Sequence, residues 1–427
     1  MLKEQAVWFR SFVVFTPCGT TKEGNRMELW KRNLYICWFG SFCTTAGMSL
    51  VIPFLPLYIE KLGVHDTSSI SRWAGIAFGS TFLMAAIVSP LWGSLADKYG
   101  RKLMLLRASL GMAIVMTSIG FGFVQNVYQL VGLRFLMGAV SGFISAAITL
   151  VATQTPKEHS GKALGTLSTG AVSGSLLGPL VGGYLGDTIG LRHVFFVTGA
   201  FMFLSFLIVN LIQEDKKETA KTTKESNIGL LSLKNSKAVI GVFVTTFLLQ
   251  LAVMAIQPIV TLYVKQLSTH TDHLALISGF VVAATGISNI LAASKLGKVS
   301  DRVGPQNVLQ ICLLIVAIIC GLQAFVHSTW QLFLLRFLLG FAMGGLLPSI
   351  NSYLKKIVPD SITGKMFGYN QTAQYFGNLA GPVIGGQIAG AKGIPYVFLT
   401  TSVLLLLNAG WVYYQRRHGQ QLDGKAA

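Results

Sequence analysis

Runs of about 18 or more apolar residues, each long enough to cross a bilayer as a helix, recur along nearly the whole of this 427-residue chain. Inside lipid a backbone must satisfy its own hydrogen bonds, so such runs fold as helices, and no alternating ten-residue strand pattern competes with them. Twelve spans are predicted, at 34–59, 73–95, 103–123, 128–152, 163–186, 192–212, 238–263, 275–296, 308–326, 330–354, 366–390 and 394–414. Charge is scarce to match. Asp, Glu, Lys and Arg make up 12% of the residues, against roughly 25% in a soluble domain. The predicted fold class is an all-α polytopic membrane protein of twelve transmembrane helices.

The net charge of +18 suggests nucleic acid at first sight, but its distribution fits the positive-inside rule better. With both termini in the cytoplasm, 27 of the 34 Lys and Arg fall on that side. Five fall outside (Lys61, Arg72, Arg192, Lys265 and Lys392), and Arg134 and Arg336 lie within spans. The expected topology is multi-pass with both termini cytoplasmic. A polar stretch at 213–237 separates six spans from six. The organisation is therefore a cytoplasmic tail at 1–33, a six-helix bundle at 34–212, a cytoplasmic linker at 213–237, a second bundle at 238–414 and a tail at 415–427. Met27 is an alternative start, so residues 1–26 read as a misassigned start or a loose tail.

The two bundles repeat each other. Arg134-Phe135-Leu136 with Gly138 returns as Arg336-Phe337-Leu338 with Gly340, an offset of 202. Gly93, Asp97 and Gly100 return as Gly297, Asp301 and Gly304, an offset of 204. A pattern G-x-x-x-G-P-x-x-G-G also occurs once in each half, as Gly174, Gly178, Pro179, Gly182 and Gly183 and again as Gly377, Gly381, Pro382, Gly385 and Gly386. Glycines spaced by four let another helix approach closely, and a proline in a membrane helix removes a backbone hydrogen bond. A helix that bends in each bundle is expected. Near-constant offsets mean duplication, two pseudo-repeated six-helix bundles, with a site at their interface near the membrane midplane.

Charged residues stand out against this background. The loop Gly93-Ser-Leu-Ala-Asp97-Lys98-Tyr-Gly100-Arg101-Lys102 puts a carboxylate at a helix end, then a tight turn and cations. Asp97 can accept from Arg101 or from the N-terminal amides of a neighbouring helix, which would latch one bundle to the other. The second copy has Asp301 but Pro305 and Gln306 in place of the cations, so its latch should be weaker. Arg134 and Arg336 are intramembrane ions and functional candidates on that ground.

The Gly93–Lys102 loop resembles the signature loop of the major facilitator superfamily, and Arg134 with Gly138 resembles its fourth-span motif, where an arginine is tied to proton coupling. The Gly174–Gly183 sequence is similar to the fifth-span motif of its exporters. Together these identify residues 27–415 as resembling the twelve-span drug:proton antiporters, among them the Gram-positive multidrug and fluoroquinolone efflux transporters. The resemblance implies a major facilitator fold and proton-coupled efflux of hydrophobic, often cationic drugs such as fluoroquinolones and dyes across the plasma membrane by alternating access. It implies a transporter, not an enzyme. Proton coupling and the conformational latch would fall to Asp97, Arg101, Lys102, Arg134, Asp301 and Arg336.

No Asp or Glu falls clearly in mid-span, so coupling would run through Asp97 with Arg134, or through Glu60 or Asp187 at the outer side. Uncharged residues are left to line the cavity: Met48, Tyr58, Gln250, Gln257, Asn289, Asn351, Gln371, Gln374 and Asn378. Amides within a span face protein or water, since lipid leaves them unsatisfied. A permease or exporter of one metabolite such as a sugar is the alternative. No metal-ligand spacing occurs among the five cysteines and seven histidines, and no cofactor is expected. The sequence Gly419–Ala426 approaches a phosphate loop, but lacks its terminal Ser or Thr and any preceding strand. The partners expected are drugs, protons and the lipid bilayer, without nucleic acid. The fold is self-sufficient as a monomer.

Overall fold

The structure, a computed structural model, describes residues 22–156, 159–214, 236–268, 273–359 and 362–423. Most of the linker and the extreme termini lie outside these ranges. The described residues form helices only. In the first lobe these are α1 (Lys22–Leu50), α2 (Leu55–Lys61), α3 (Thr67–Tyr99), α4 (Arg101–Gly120), α5 (Val127–Val140), α6 (Phe143–Gln154), α7 (Ser160–Thr188) and α8 (Leu191–Val209). In the second they are α9 (Ser236–Ile256), α10 (Val260–Leu267), α11 (Leu274–Val303), α12 (Pro305–Gln323), α13 (Thr329–Met343), α14 (Leu346–Ile357), α15 (Thr363–Lys392) and α16 (Ile394–Asp423).

Twelve spans become sixteen helices because the first, fourth, seventh and tenth are interrupted. Between α1 and α2 the chain turns by 47°, where Pro53 and Pro56 remove two backbone donors. Pro258 sits in the matching interruption between α9 and α10. The fourth span breaks at Ser141 and Gly142, whose φ of +115° only glycine adopts without strain. The tenth breaks at Gly344 and Gly345. By contrast, α7 and α15 run unbroken through Pro179 and Pro382. The interruptions thus fall outside the two helices expected to bend.

Ten described stretches are long and apolar enough to span a membrane, and the bent α1–α2 pair makes eleven. The eleventh predicted span, α15, is 30 residues long but is not among them, because Asn370, Gln371, Gln374, Asn378 and its glycines dilute its hydropathy. It packs against α9 and α3, so much of its surface meets protein. Exposed aromatic rings mark both ends of the bundle. Phe123, Tyr128, Trp330 and Phe325 lie at the end remote from the termini, and Tyr99, Tyr413 and Tyr414 lie at the other. Such rings favour the interface between lipid tails and water.

Packing repeats with the sequence. In the first lobe α1 lies on α7, α4 on α8 and α3 on α5. In the second, α9 lies on α15, α12 on α16 and α11 on α13. Three further pairs join the lobes, α3 with α15, α7 with α11 and, less extensively, α2 with α10. These cross-lobe pairs position the candidate site.

Candidate functional site

The glycine–proline motif works on two faces. Spaced by four, Gly174, Gly178 and Gly182 share one face of α7, drifting by about 40° per step, and that face lies on α1. A Cβ on Gly182 would stand 2.1 Å from the Leu50 carbonyl oxygen, and one on Gly178 would stand 2.6 Å from the Ser49 Cβ. The second copy does the same within its own lobe: a Cβ on Gly385 would stand 2.0 Å from the Ala255 carbonyl oxygen, and one on Gly377 2.7 Å from the Gln250 Cβ. The other face looks across to the opposite lobe. A Cβ on Gly183 would stand 2.4 Å from the Ala275 carbonyl oxygen, one on Gly279 2.3 Å from that of Pro179, one on Gly75 2.2 Å from that of Pro382 and one on Gly386 2.5 Å from that of Ser71. The motif therefore lets one helix pack tightly on its own lobe while its proline carbonyl seats against a glycine of the other.

Polar groups reinforce this seam. The Thr261 hydroxyl donates to the Pro53 carbonyl across the lobes, buried, at 2.6 Å. Lys265 Nζ meets the Glu60 carboxylate at 2.6 and 2.7 Å, each side chain about one third exposed. The Asp187 carboxylate, at the end of α7, accepts from the backbone amides of Ala275 (3.2 Å) and Leu276 (2.8 Å) in the first turn of α11. There the helix dipole favours an anion. Arg72 Nη2 donates to the Gly390 carbonyl at 3.5 Å. All these contacts lie at the end remote from the termini. At the opposite end a Cβ on Gly93, Gly165 or Gly368 would meet nothing within 4 Å. Among the described residues, the hydrogen bonds and the ion pair that join the lobes lie at the end remote from the termini.

Arg134 is 3% exposed and Arg336 6%. Each leaves Nε and Nη2 without a hydrogen-bond partner among the described residues. The Arg134 guanidinium lies 5.9 Å from the centre of the Phe78 ring on α3. One turn on, Gly138 lets α3 approach so closely that a Cβ would stand 2.1 Å from the Thr81 carbonyl oxygen. Gly340 repeats this against Thr285, also at 2.1 Å.

The loop with Arg101 and Lys102 has a partner that the sequence did not suggest. Glu214, at the start of the linker, accepts from the backbone amides of Arg101 (2.8 Å) and Lys102 (2.9 Å) at the start of α4. Gly100, at φ +94°, leaves it room, since a Cβ there would stand 2.8 Å from a Glu214 oxygen. Arg101 Nη1 donates to the Thr153 hydroxyl and Lys102 Nζ to the Asn210 carbonyl. Asp97 and Asp301 lie in the last turns of α3 and α11, and their side chains fall outside the described atoms.

The amide residues scatter more widely. Gln371 donates to Gln374 at 3.4 Å on α15. Asn378 is half-buried, and its Oδ1 has no hydrogen-bond partner among the described residues. Gln250, Gln257, Asn289 and Met48 are half-buried, and Asn351 is exposed. Tyr58 is buried in the first lobe, edge-on to Phe195 at 4.9 Å.

A family model described as Major Facilitator Superfamily matches residues 37–319 and 242–426. The chain belongs to the Major Facilitator Superfamily. It is 45% identical over 401 residues to "Multidrug resistance protein MdtG" of Dickeya zeae, covering 93% of this chain and 98% of that one. It is 48% identical over 382 residues to the protein of the same name from Enterobacter lignolyticus, covering 89% and 91%. Two solved members of the superfamily share the fold at 15–16% identity and a TM-score of 0.73. One is the nucleoside transporter NupG, covering 90% of this chain and 98% of that one. The other is a bacterial homologue of the lysosomal transporter Spinster in an inward-facing, occupied conformation, covering 93% and 98%.

Sequence reading missed several residues that the superfamily fold brings together here. Glu214 and Thr261 carry no spacing signal, because their partners are a helix start and a proline carbonyl far along the chain. Arg107 did carry one. It lies inside the predicted span 103–123, yet the charge count placed it with the cytoplasmic cations. On α4 it is half-buried, and its guanidinium lies 3.6 Å from the centre of the Trp92 ring.

Proposed function

We propose that this transporter exports hydrophobic, often cationic drugs, fluoroquinolones and dyes among them, from the cell in exchange for protons. The supporting observation is the one-ended seam. Glycine–proline contacts, a carboxylate-capped helix and an ion pair hold the lobes together at the end remote from the termini, and among the described residues no cross-lobe hydrogen bond or ion pair is seen at the other end. By the positive-inside rule the closed end faces outward, both termini lie in the cytoplasm and the plasma membrane is the site of action. The name carried by the relatives supports drugs as the substrates. Amides, aromatic rings and Met48 would suit amphipathic aromatic compounds. The protein would work as a monomer in the bilayer, its bundles at 34–212 and 238–414 joined by the linker at 213–237.

Exchange is feasible without a mid-span acid. Moving one charge against the membrane potential costs about 2.3 kcal/mol per 100 mV. One proton inward for one monovalent cation outward cancels that cost and leaves the pH gradient as the drive. Asp97, Arg101 and Arg134 would link protonation to lobe movement, with Lys102, Asp301 and Arg336 in support. The test is efflux of ethidium or norfloxacin from cells expressing the protein, with and without a protonophore. Energised efflux that collapses with the protonophore is expected. Its absence at confirmed membrane expression would point to a narrow-substrate permease, and full resistance in both Asp97→Asn and Arg134→Ala would overturn the coupling assignment.

A further inference from the structure

The break in the fourth span leaves helical carbonyls without amide partners at membrane depth, where an unsatisfied group is costly. In the first lobe two side chains serve them. Trp92 Nε1, from α3, donates to the Ala139 carbonyl at 2.8 Å. Arg107, from α4, donates to the Ser141 carbonyl at 3.0 Å and more weakly to that of Ala139 at 3.4 Å. The guanidinium stacks on the indole at 3.6 Å and passes within 3.5 Å of where a Cβ on Gly142 would stand. Three helices thus meet at one cation.

The second lobe lacks this arrangement. At the repeat offset of 204, Leu296 stands for Trp92 and Ile311 for Arg107. The tenth-span break is packed instead by apolar groups, with the Cys312 Sγ at 2.8 Å and the Leu296 Cδ1 at 3.1 Å from a Cβ on Gly345. Its backbone hydrogen bonds continue through the turn, Gly344 to Gly340 and Gly345 to Ala342.

We infer that Arg107, braced by Trp92, is a positioning residue that fixes the end of α5 and through it the orientation of Arg134. Arg134 precedes Ser141 by seven residues, about two helical turns or roughly 10 Å. A rigid clamp at one end and the Gly138–Thr81 contact between them leave α5 little freedom to roll. The first lobe would hold its arginine fixed, while the unclamped Arg336 helix is free to shift during transport. This rests on the coupling role proposed above for Arg134.

The experiment compares wild type, Arg107→Gln, Arg107→Lys, Arg134→Lys and the double variant Arg107→Gln/Arg134→Lys in proteoliposomes, with norfloxacin as the probe across a pH series. Arg107→Gln should lower kcat about tenfold, the rate equivalent of the roughly 1.4 kcal/mol of a charge-assisted hydrogen bond, with KM within about twofold. Its pH profile should move, the double variant should be no slower than Arg134→Lys alone, and Arg107→Lys should recover part of the rate. Backbone amide exchange in 138–146 should rise in Arg107→Gln while 340–349 stays as in wild type. A raised KM at unchanged kcat, multiplicative effects in the double variant, or unchanged exchange at 138–146 would each overturn the assignment. If wild type shows no proton-dependent transport, the export reading fails, and the exchange measurement still decides the clamp.

Discussion

Replacing Gly75 by alanine should pry the lobes apart without damaging either. The added Cβ would lie 2.2 Å from the Pro382 carbonyl oxygen and 3.2 Å from the Gly386 Cα, both backbone atoms of the opposite lobe. Backbone of a packed helix cannot rotate out of the way as a flexible side chain can. To reach ordinary contact, near 3.4 Å, α3 and α15 must separate by about 1.2 Å along that line. Overpacking of this kind costs about 1–3 kcal/mol. Only the closed arrangement bears it, so the ratio of open to closed outer ends should rise roughly 5- to 150-fold.

Spin labels read this without touching the seam. His65 and Lys392 are exposed at the outer ends of opposite lobes, and a nitroxide pair there reports their separation. Wild type should give one dominant short distance, and Gly75→Ala should add a longer population. Gly182→Ala is the control. Its Cβ would lie 2.1 Å from the Leu50 carbonyl oxygen within the same lobe, so it should lower thermal stability and leave the distance distribution of the folded fraction unchanged. A wild-type distribution in Gly75→Ala, or the same broadening in Gly182→Ala, would refute the assignment of the two motif faces.

Three further outcomes are expected. Asp187→Asn should weaken the cap on the Ala275 and Leu276 amides and raise the longer-distance population of the same label pair, with Asp187→Ala stronger than Asn. Reversing Glu60 and Lys265 together should restore what either single reversal loses, by about 1 kcal/mol or less because both side chains are partly exposed, as read by a double-mutant cycle on thermal stability. Asp66 caps α3, and hydrogen bonds from the Ser68 hydroxyl and from the Ser69 amide and hydroxyl hold its carboxyl down at about 2. A depressed value stabilises the fold above the unfolded carboxylate range near 3.9. Asp66→Ala should therefore melt below wild type by a constant margin from pH 8 to 5, shrinking as pH falls from there towards 2. A margin that does not shrink would disprove the cap.

The spans and their duplication were legible because membrane helices leave long apolar runs and duplicated motifs keep their offset. The prolines at 53, 56 and 258 stand at two of the four interruptions, yet the predicted spans 34–59 and 238–263 run through them. The break at Gly142 was less visible, since nothing local distinguishes a glycine at positive φ from the packing glycines around it. The motif announced close approach by its spacing of four but not what approaches. Gly182 and Gly183 are neighbours in sequence and about 100° apart on the helix, so one meets α1 and the other α11. Arg107 was overlooked for a physical reason too. Near a span end an arginine can reach the interface with its long side chain, so a charge count assigns it to water, while the structure turns it inward to serve broken-helix carbonyls.

Duplication sets the geometry of the seam, and charge then divides its two halves. The end of α7 meets the start of α11, and the end of α15 meets the start of α3, the same pair of helix ends with the lobes exchanged. In the first pair the bridging group is the carboxylate of Asp187, seated on N-terminal amides. At the repeat offset of 203 its position in the second pair is Gly390. A side chain cannot grow there, because a Cβ would lie 2.7 Å from the Ser68 carbonyl oxygen and 2.6 Å from the Arg72 Nε. The bridge is therefore built from the opposite partner, with Arg72 reaching the C-terminal carbonyl of α15. Each bridge matches the dipole of the helix end it touches, one with an anion and the other with a cation.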